Sequence, residues 1–387
     1  MKWINRKVDA LDMTSLFNGL VFYAPVALLV RTKAGISVEQ FFMLQAVLSM
    51  VIFGFEIPAG KLTDKIGYRN TLVMAQVLLF AARSMMLLAF LQKSLVLFYV
   101  EAVIEGLAAC FASGTQSAYL YTMFSSEEFL VKTAHVGNCG TVGFLISTVA
   151  YAGIYALTGV KGLLVATIAS SFLGCVVSLG IPKERKEIRS EVEKQVDSQK
   201  TWKLLLRKET LLVVLILSCV SMGFLLVNFF YVEKLMVCGL KEEWMSPIIL
   251  GYSAVELLAE KILAKVDEAH TRMAFVICFC LAGGAMVLFG WVVQPVTVIL
   301  LMLLLPLLMT VPSYIFEEIQ NRLVDSMELH DKRAEVLSVF NMGVNLLEVV
   351  TLFGAAALSG LGSAVCFYAV GGLMIVLGIA SGGIKVE

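Results

Sequence analysis

The sequence predicts an all-α integral membrane protein of twelve transmembrane helices in two pseudo-symmetric six-helix bundles. Three observations carry that prediction. Of 387 residues, 59% are hydrophobic and 16% charged, with a mean hydropathy of +0.87; a soluble domain carries roughly 25% charged residues. Apolar runs recur along the whole chain, each near the ~20 residues that cross hydrocarbon as a helix. The first half is echoed in the second at an offset of 200 residues.

The first span, 9–30, follows the basic start MKWINRK. It carries Asp9 and Asp12 and is too long for a signal h-region, so it reads as a retained helix. Spans 2 to 6 follow at 39–62, 71–91, 94–123, 135–158 and 162–181, and spans 7 to 12 at 209–236, 244–266, 271–293, 295–324, 334–359 and 363–382. Between the two sets lies Lys183–Glu209, with nine basic and six acidic residues. It reads as a linker, with an interfacial helix anchored by Trp202. The expected domains are therefore 1–182, a cytoplasmic linker 183–208, and 209–387.

Charge sets the orientation. With both termini cytoplasmic, outer segments hold six of the thirty basic residues: Arg31, Lys33, Lys93, Lys161, Lys234 and Lys241. Arg83 lies inside a span, and the remaining twenty-three face the cytoplasm. An odd number of spans would scramble this bias. No N-x-[ST] sequon is present and the loops are short, which places the chain in a cytoplasmic (inner) cell membrane.

Several function classes are excluded. Acidic and basic residues number 30 each, with no basic run beside aromatics to bind nucleic acid. No G-x-x-x-x-G-K-[ST] serves a nucleotide, and neither G-x-S-x-G nor H-E-x-x-H is present. The eight cysteines include no C-x-x-C, and His135, His270 and His330 are far apart, so no cofactor or metal is expected.

In the internal echo, Glu56 corresponds to Glu256, Lys61 to Lys261 and Lys65 to Lys265, and K-T-A-H-V at 132–136 to K-R-A-E-V at 332–336. Repeated six-helix units are a transporter signature, with the site expected between the halves near mid-membrane. The loop after span 2 reads G-K-L-T-D-K-I-G-Y-R-N, residues 60–70. This resembles the G-x-x-x-D-[RK]-x-G-[RK]-[RK] motif of the major facilitator superfamily at Gly60, Asp64, Lys65, Gly67 and Arg69, with Tyr68 in place of a basic residue. Together with the span count and the central linker, the resemblance covers the whole chain. It implies a gating latch on the cytoplasmic side; a plain tight turn is the alternative. Read directly, Gly60 permits close helix packing. Asp64 can cap the following helix, and Lys65 and Arg69 can pair with neighbouring acids.

S-G-T-Q-S-A-Y-L-Y at 113–121 and G-N-C-G-T-V-G at 137–143 are similar to patterns of bacterial drug/proton antiporters of that superfamily. Gln116 and Thr122 stand where acids are common there, and the proline of the second pattern is missing.

Charges inside the bilayer mark function by default. Arg83 and Glu101 are expected to pair at similar depth, leaving Glu105 as a proton site, because burial disfavours a charged carboxylate. A purely structural pair is the alternative. Glu256 in span 8 and Glu348 in span 11 are further proton candidates. Glu56 is assigned to the latch, and Asp12 to a water-exposed edge. Glutamates outnumber Arg83 at depth, which favours protons and cations over an anion. Asn18 and Tyr23 in span 1, Asn228 and Tyr231 in span 7, and Asn341 and Asn345 in span 11 suit an amphipathic organic substrate; ordinary helix packing is the alternative.

The resemblance and these charges imply a secondary transporter working by alternating access, exporting a lipophilic or cationic small molecule against protons. Its partners are that substrate, protons and the bilayer, and it is expected to be a monomer without cofactor. Proton-coupled nutrient uptake and a non-transporting receptor or scaffold on the same fold are the alternatives.

Overall fold

The computed structural model describes residues 8–24, 27–184, 208–240, 245–266, 268–326, 333–359 and 363–381. These residues are almost wholly helical, and no strand occurs among them. The helices are α1 (Ala10–Gly19), α2 (Ala27–Lys33), α3 (Val38–Ile66), α4 (Tyr68–Gln92), α5 (Leu95–Met123) and α6 (Ser126–Ser178). They continue as α7 (Lys208–Val237), α8 (Met245–Glu256), α9 (Leu258–Leu263), α10 (Glu268–Trp291), α11 (Pro295–Ser326), α12 (Arg333–Ser359) and α13 (Ser363–Ser381). Most edges fall within three residues of the hydropathy spans. α6 holds spans 5 and 6 as two arms meeting at Gly159, where φ is +65°. Spans 1 and 8 are each broken in two, so the described helices correspond one by one to the twelve hydropathy spans.

Local sequence accounts for the helix ends. Asp9 caps α1 in a reciprocal box with Asp12, and Ser37 does the same for α3 with Gln40. Lys93 takes a left-handed conformation at the α4 terminus, turning the chain into α5. Six described helical segments are long and apolar enough to cross a membrane. Side chains such as Val149, Leu157, Trp291 and Ile379 lie exposed, as a lipid solvent allows.

Two compact units emerge. One comprises Met1–Met123, His135–Glu191 and His330–Ser338, and the other Phe124–Ala134, Val192–Leu329 and Val339–Glu387. In the first, α5 packs on α3 and α4, over a core that includes Tyr23, Leu44, Met86, Phe98 and Leu163. In the second, α10 packs on α11 and α13, and α11 on α7 and α8. Its aromatic contacts include Phe275 with Phe316 (ring centroids 4.4 Å) and Phe289 edge-on to Phe367 (5.0 Å). The expected linker lies outside the described residues except at its two ends.

Candidate functional site

The break between α1 and α2 organises the first unit. Residues Leu20–Ala24 leave the helix, so their backbone groups need other partners. The second arm of α6 supplies them: Thr167 Oγ1 accepts from Phe22 N (3.1 Å), and Ser170 Oγ donates to Leu20 O (2.9 Å). Non-helical backbone at membrane depth persists where protein satisfies it in this way. Nearby, Asn18 and Gln76 hold buried carbonyl oxygens that have no hydrogen-bond partner among the described residues, and both approach Gly174 of α6. Gln76 was not among the sequence candidates.

The break also places Tyr23, which is buried and accepts a hydrogen bond from the Arg83 guanidinium. Arg83 does not pair with Glu101. Its Nη1 lies 3.0 Å from Glu105 Oε1, while Arg31 of α2 lies 3.5 Å from Glu101. Helical rise explains the correction. Arg83 stands nine residues before the end of α4, and Glu105 ten residues after the start of α5, so at about 1.5 Å per residue their depths match. Glu101 sits one turn nearer the Lys93 end, where Arg31 reaches it because α2 continues to Lys33. Arg31, placed in a loop by its sequence, is therefore a buried site residue.

The two pairs differ in access. Arg31 and Glu101 are 6% and 1% exposed, whereas Arg83 is 11% and Glu105 24% exposed. The first is closed off; the second presents its carboxylate.

The 60–70 loop is built differently from expectation. Asp64 does not cap α4. Its two oxygens accept from Ala334 N (3.1 Å) and Glu335 N (3.0 Å), in the first turn of α12. The cap on α4 is Glu184, whose carboxylate accepts from Tyr68 N (3.0 Å) and Arg69 N (3.2 Å). Gly67, at φ +89°, leaves room for that carboxylate, which an added Cβ would meet at 2.3 Å. Arg69 donates to the carbonyls of Ile181 (2.8 Å) and Leu179 (2.7 Å) past the end of α6, where a cation is favoured, rather than to an acid. Lys61 pairs with Glu335 at 3.5 Å, Lys65 is exposed, and Gly60 abuts Ala334 and Ser338. Replacing Glu184 by alanine is expected to cost about 1 kcal/mol, as loss of a helix cap does. Amide exchange at Tyr68 and Arg69 reads this directly; unchanged protection would contradict the assignment.

Glu56 leaves the latch as well. It is fully buried and receives a hydrogen bond from Ser113, where α5 departs from helical geometry. In the second unit Glu256 accepts from Thr310 Oγ1 at 3.4 Å. Each unit thus sets the glutamate of its second span against a hydroxyl of its fourth. Tyr231, Asn341 and Asn345 are partly buried in the second unit. The side chains of Asn228 and Glu348 lie outside the described ones.

The comparisons agree with this architecture. The sequence pattern of the Major Facilitator Superfamily matches residues 11–317. No curated protein sequence matches the chain. The human organic anion transporter MFSD10 (TETRAN) superposes with a TM-score of 0.77 at 13% identity, over 98% of this chain and 100% of that one. The E. coli fucose:proton symporter FucP does so at 0.76 and 11% identity, over 96% and 97% respectively.

Proposed function

The chain belongs to the major facilitator superfamily, a family of membrane transporters, and from that premise we propose a proton-coupled secondary transporter working by alternating access. One observation carries the coupling: the Arg83–Glu105 pair, with its carboxylate the more exposed partner. A proton on Glu105 removes the charge that holds Arg83, leaving the guanidinium to Tyr23. A cationic substrate arriving at the open side of Glu105 addresses that same charge. Proton and cation therefore compete, which is the elementary requirement of exchange. Tyr23 and the buried amides of Asn18 and Gln76 give the site aromatic and polar faces for an amphipathic molecule.

On this reading the chain exports a lipophilic or cationic small molecule as a monomer in the inner cell membrane, with both termini cytoplasmic and the halves 1–182 and 209–387 joined by 183–208. A second reading rests on Arg31, which balances Glu101 as Arg83 balances Glu105. The described site then carries no net charge, and proton-coupled uptake of a neutral or anionic solute fits it. The solved structures most relevant to that reading are named for organic anions and for fucose with protons.

The test is internal pH in proteoliposomes on adding lipophilic cations, organic anions or sugars, for wild type and Glu105→Gln. Export by exchange gives proton movement with cations that the substitution abolishes, together with the pH-dependent part of cation binding. Movement with sugars or anions alone moves the function to the second reading. Movement unchanged by Glu105→Gln, or absent with every solute, overturns the coupling site.

A further inference from the structure

One cluster lies apart from the Arg83–Glu105 site. The ligand atoms of Asp12, His135 and Cys139 fall within 4.8 Å of one another. Asp12 is fully buried on α1, not water-exposed as its place near the span edge suggested, and its Oδ2 lies 3.8 Å from His135 Nε2. His135 and Cys139 are four residues apart on α6, so both side chains share one face. Sequence offers only this H-x-x-x-C half; the third member belongs to another helix.

The two helices bearing the trio are locked together. Ser15 Oγ donates to Val136 O at 2.7 Å. An added Cβ at Gly19 would lie 2.0 Å from Gly140 O, and one at Gly143 2.1 Å from Leu16 O, so the backbones touch. The Asp12 carboxylate is oriented in turn by the Asp9 backbone N–H, which donates to Oδ2 at 3.0 Å. Such an outer hydrogen bond fixes a ligand's direction.

We propose that Asp12, His135 and Cys139 form a binding site for one zinc-class divalent ion. The donor set decides the class. A carboxylate oxygen, an imidazole nitrogen and a thiolate sulfur are all ligands of zinc, and the thiolate and imidazole disfavour the hard ions magnesium and calcium. Three protein ligands leave a fourth tetrahedral position for water or another donor. Binding deprotonates the Cys139 thiol, whose proton passes to water, and joins α6 to the first turn of α1, the end away from the Leu20–Ala24 break. The ion therefore stiffens the helix that carries Asn18 towards the transport site.

The experiment uses the full-length purified protein, titrated calorimetrically with zinc and spectroscopically with cobalt(II), whose thiolate bond absorbs in the near ultraviolet. Wild type is expected to bind one ion per chain with a cobalt–thiolate band. Cys139→Ser should abolish the band, and His135→Gln should weaken zinc binding at least tenfold, in the range typical of metal-site perturbations, ~10–100-fold. Cys175→Ser, which changes another free cysteine of the same unit, should leave both intact. Absence of zinc binding by wild type overturns the site. So does a cobalt–thiolate band that survives Cys139→Ser, or zinc affinity unaltered by His135→Gln in protein that still melts cooperatively.

Discussion

Glu101→Ala is expected to destabilise the first unit by about 3–5 kcal/mol, the cost of breaking a buried ion pair from one side. The reason is Arg31, which is 6% exposed, lies 3.5 Å from Glu101 and has no hydrogen-bond partner for its Nε among the described residues. Removing the carboxylate strands a guanidinium that the Phe41 ring, 5.3 Å from its centre, cannot neutralise. Thermal unfolding of the detergent-solubilised protein should fall by several degrees. The double variant Arg31→Met with Glu101→Leu should recover most of the loss, since apolar replacements of a buried pair are often neutral or better. A Glu101→Ala protein that melts like wild type would show that the pair is not desolvated. Glu105→Gln, in the more open pair, should change melting far less while removing coupling.

The second large effect is steric. Gly19→Ala places a methyl group 2.0 Å from the Gly140 carbonyl oxygen, far inside van der Waals contact. Overpacking by a flexible neighbour costs about 1–3 kcal/mol, and here the obstacle is backbone, so α1 and α6 must separate. That separation also breaks the Ser15–Val136 bond and displaces the Leu20–Ala24 segment, so stability and transport should fall together. Gly153→Ala, on the same α6, meets nothing within 4 Å. It should be neutral or stabilising by ~0.5–1 kcal/mol, the helical preference for alanine. Equal tolerance of both substitutions in thermal melts would contradict the close approach.

Particular residues show where sequence reasoning reached and where it stopped. Helix number and most edges were legible because hydrocarbon thickness imposes one length on every span. The break in span 1 has a local signal in the sequence: a glycine stands at 19 and a proline at 25, and proline disfavours helix in the residue before it. The place of Arg31 follows from that break, since a straight span ends before it and a broken one carries it inside. Glu105, rather than Glu101, became the partner of Arg83 once the α4 and α5 ends moved by a single residue. Other contacts had no local signal. Glu184 reaching Tyr68, Asp64 reaching Ala334, and Asp12 reaching His135 join segments that the chain brings together only in three dimensions. Spacing rules see one element at a time, and these partners sit on separate ones.

The cap on α4 bears on the order in which the protein is made. Tyr68 and Arg69 open a helix whose first amides point at Glu184, and Arg69 reaches carbonyls at 179 and 181. During synthesis, which completes domains from the N-terminus onward, the 60–70 loop leaves the ribosome long before any of these partners exists. Its α4 side can close only when the sixth span has emerged, and its Asp64 side only after residue 335. The loop is therefore a record of biogenesis with two stages. A nascent chain halted once residue 184 has cleared the ribosome, but before residue 335 has, should already shield the amides of Tyr68 and Arg69 while Asp64 still waits. Truncating the chain before Glu184 should leave the α4 terminus open to proteolysis however well the preceding spans have inserted.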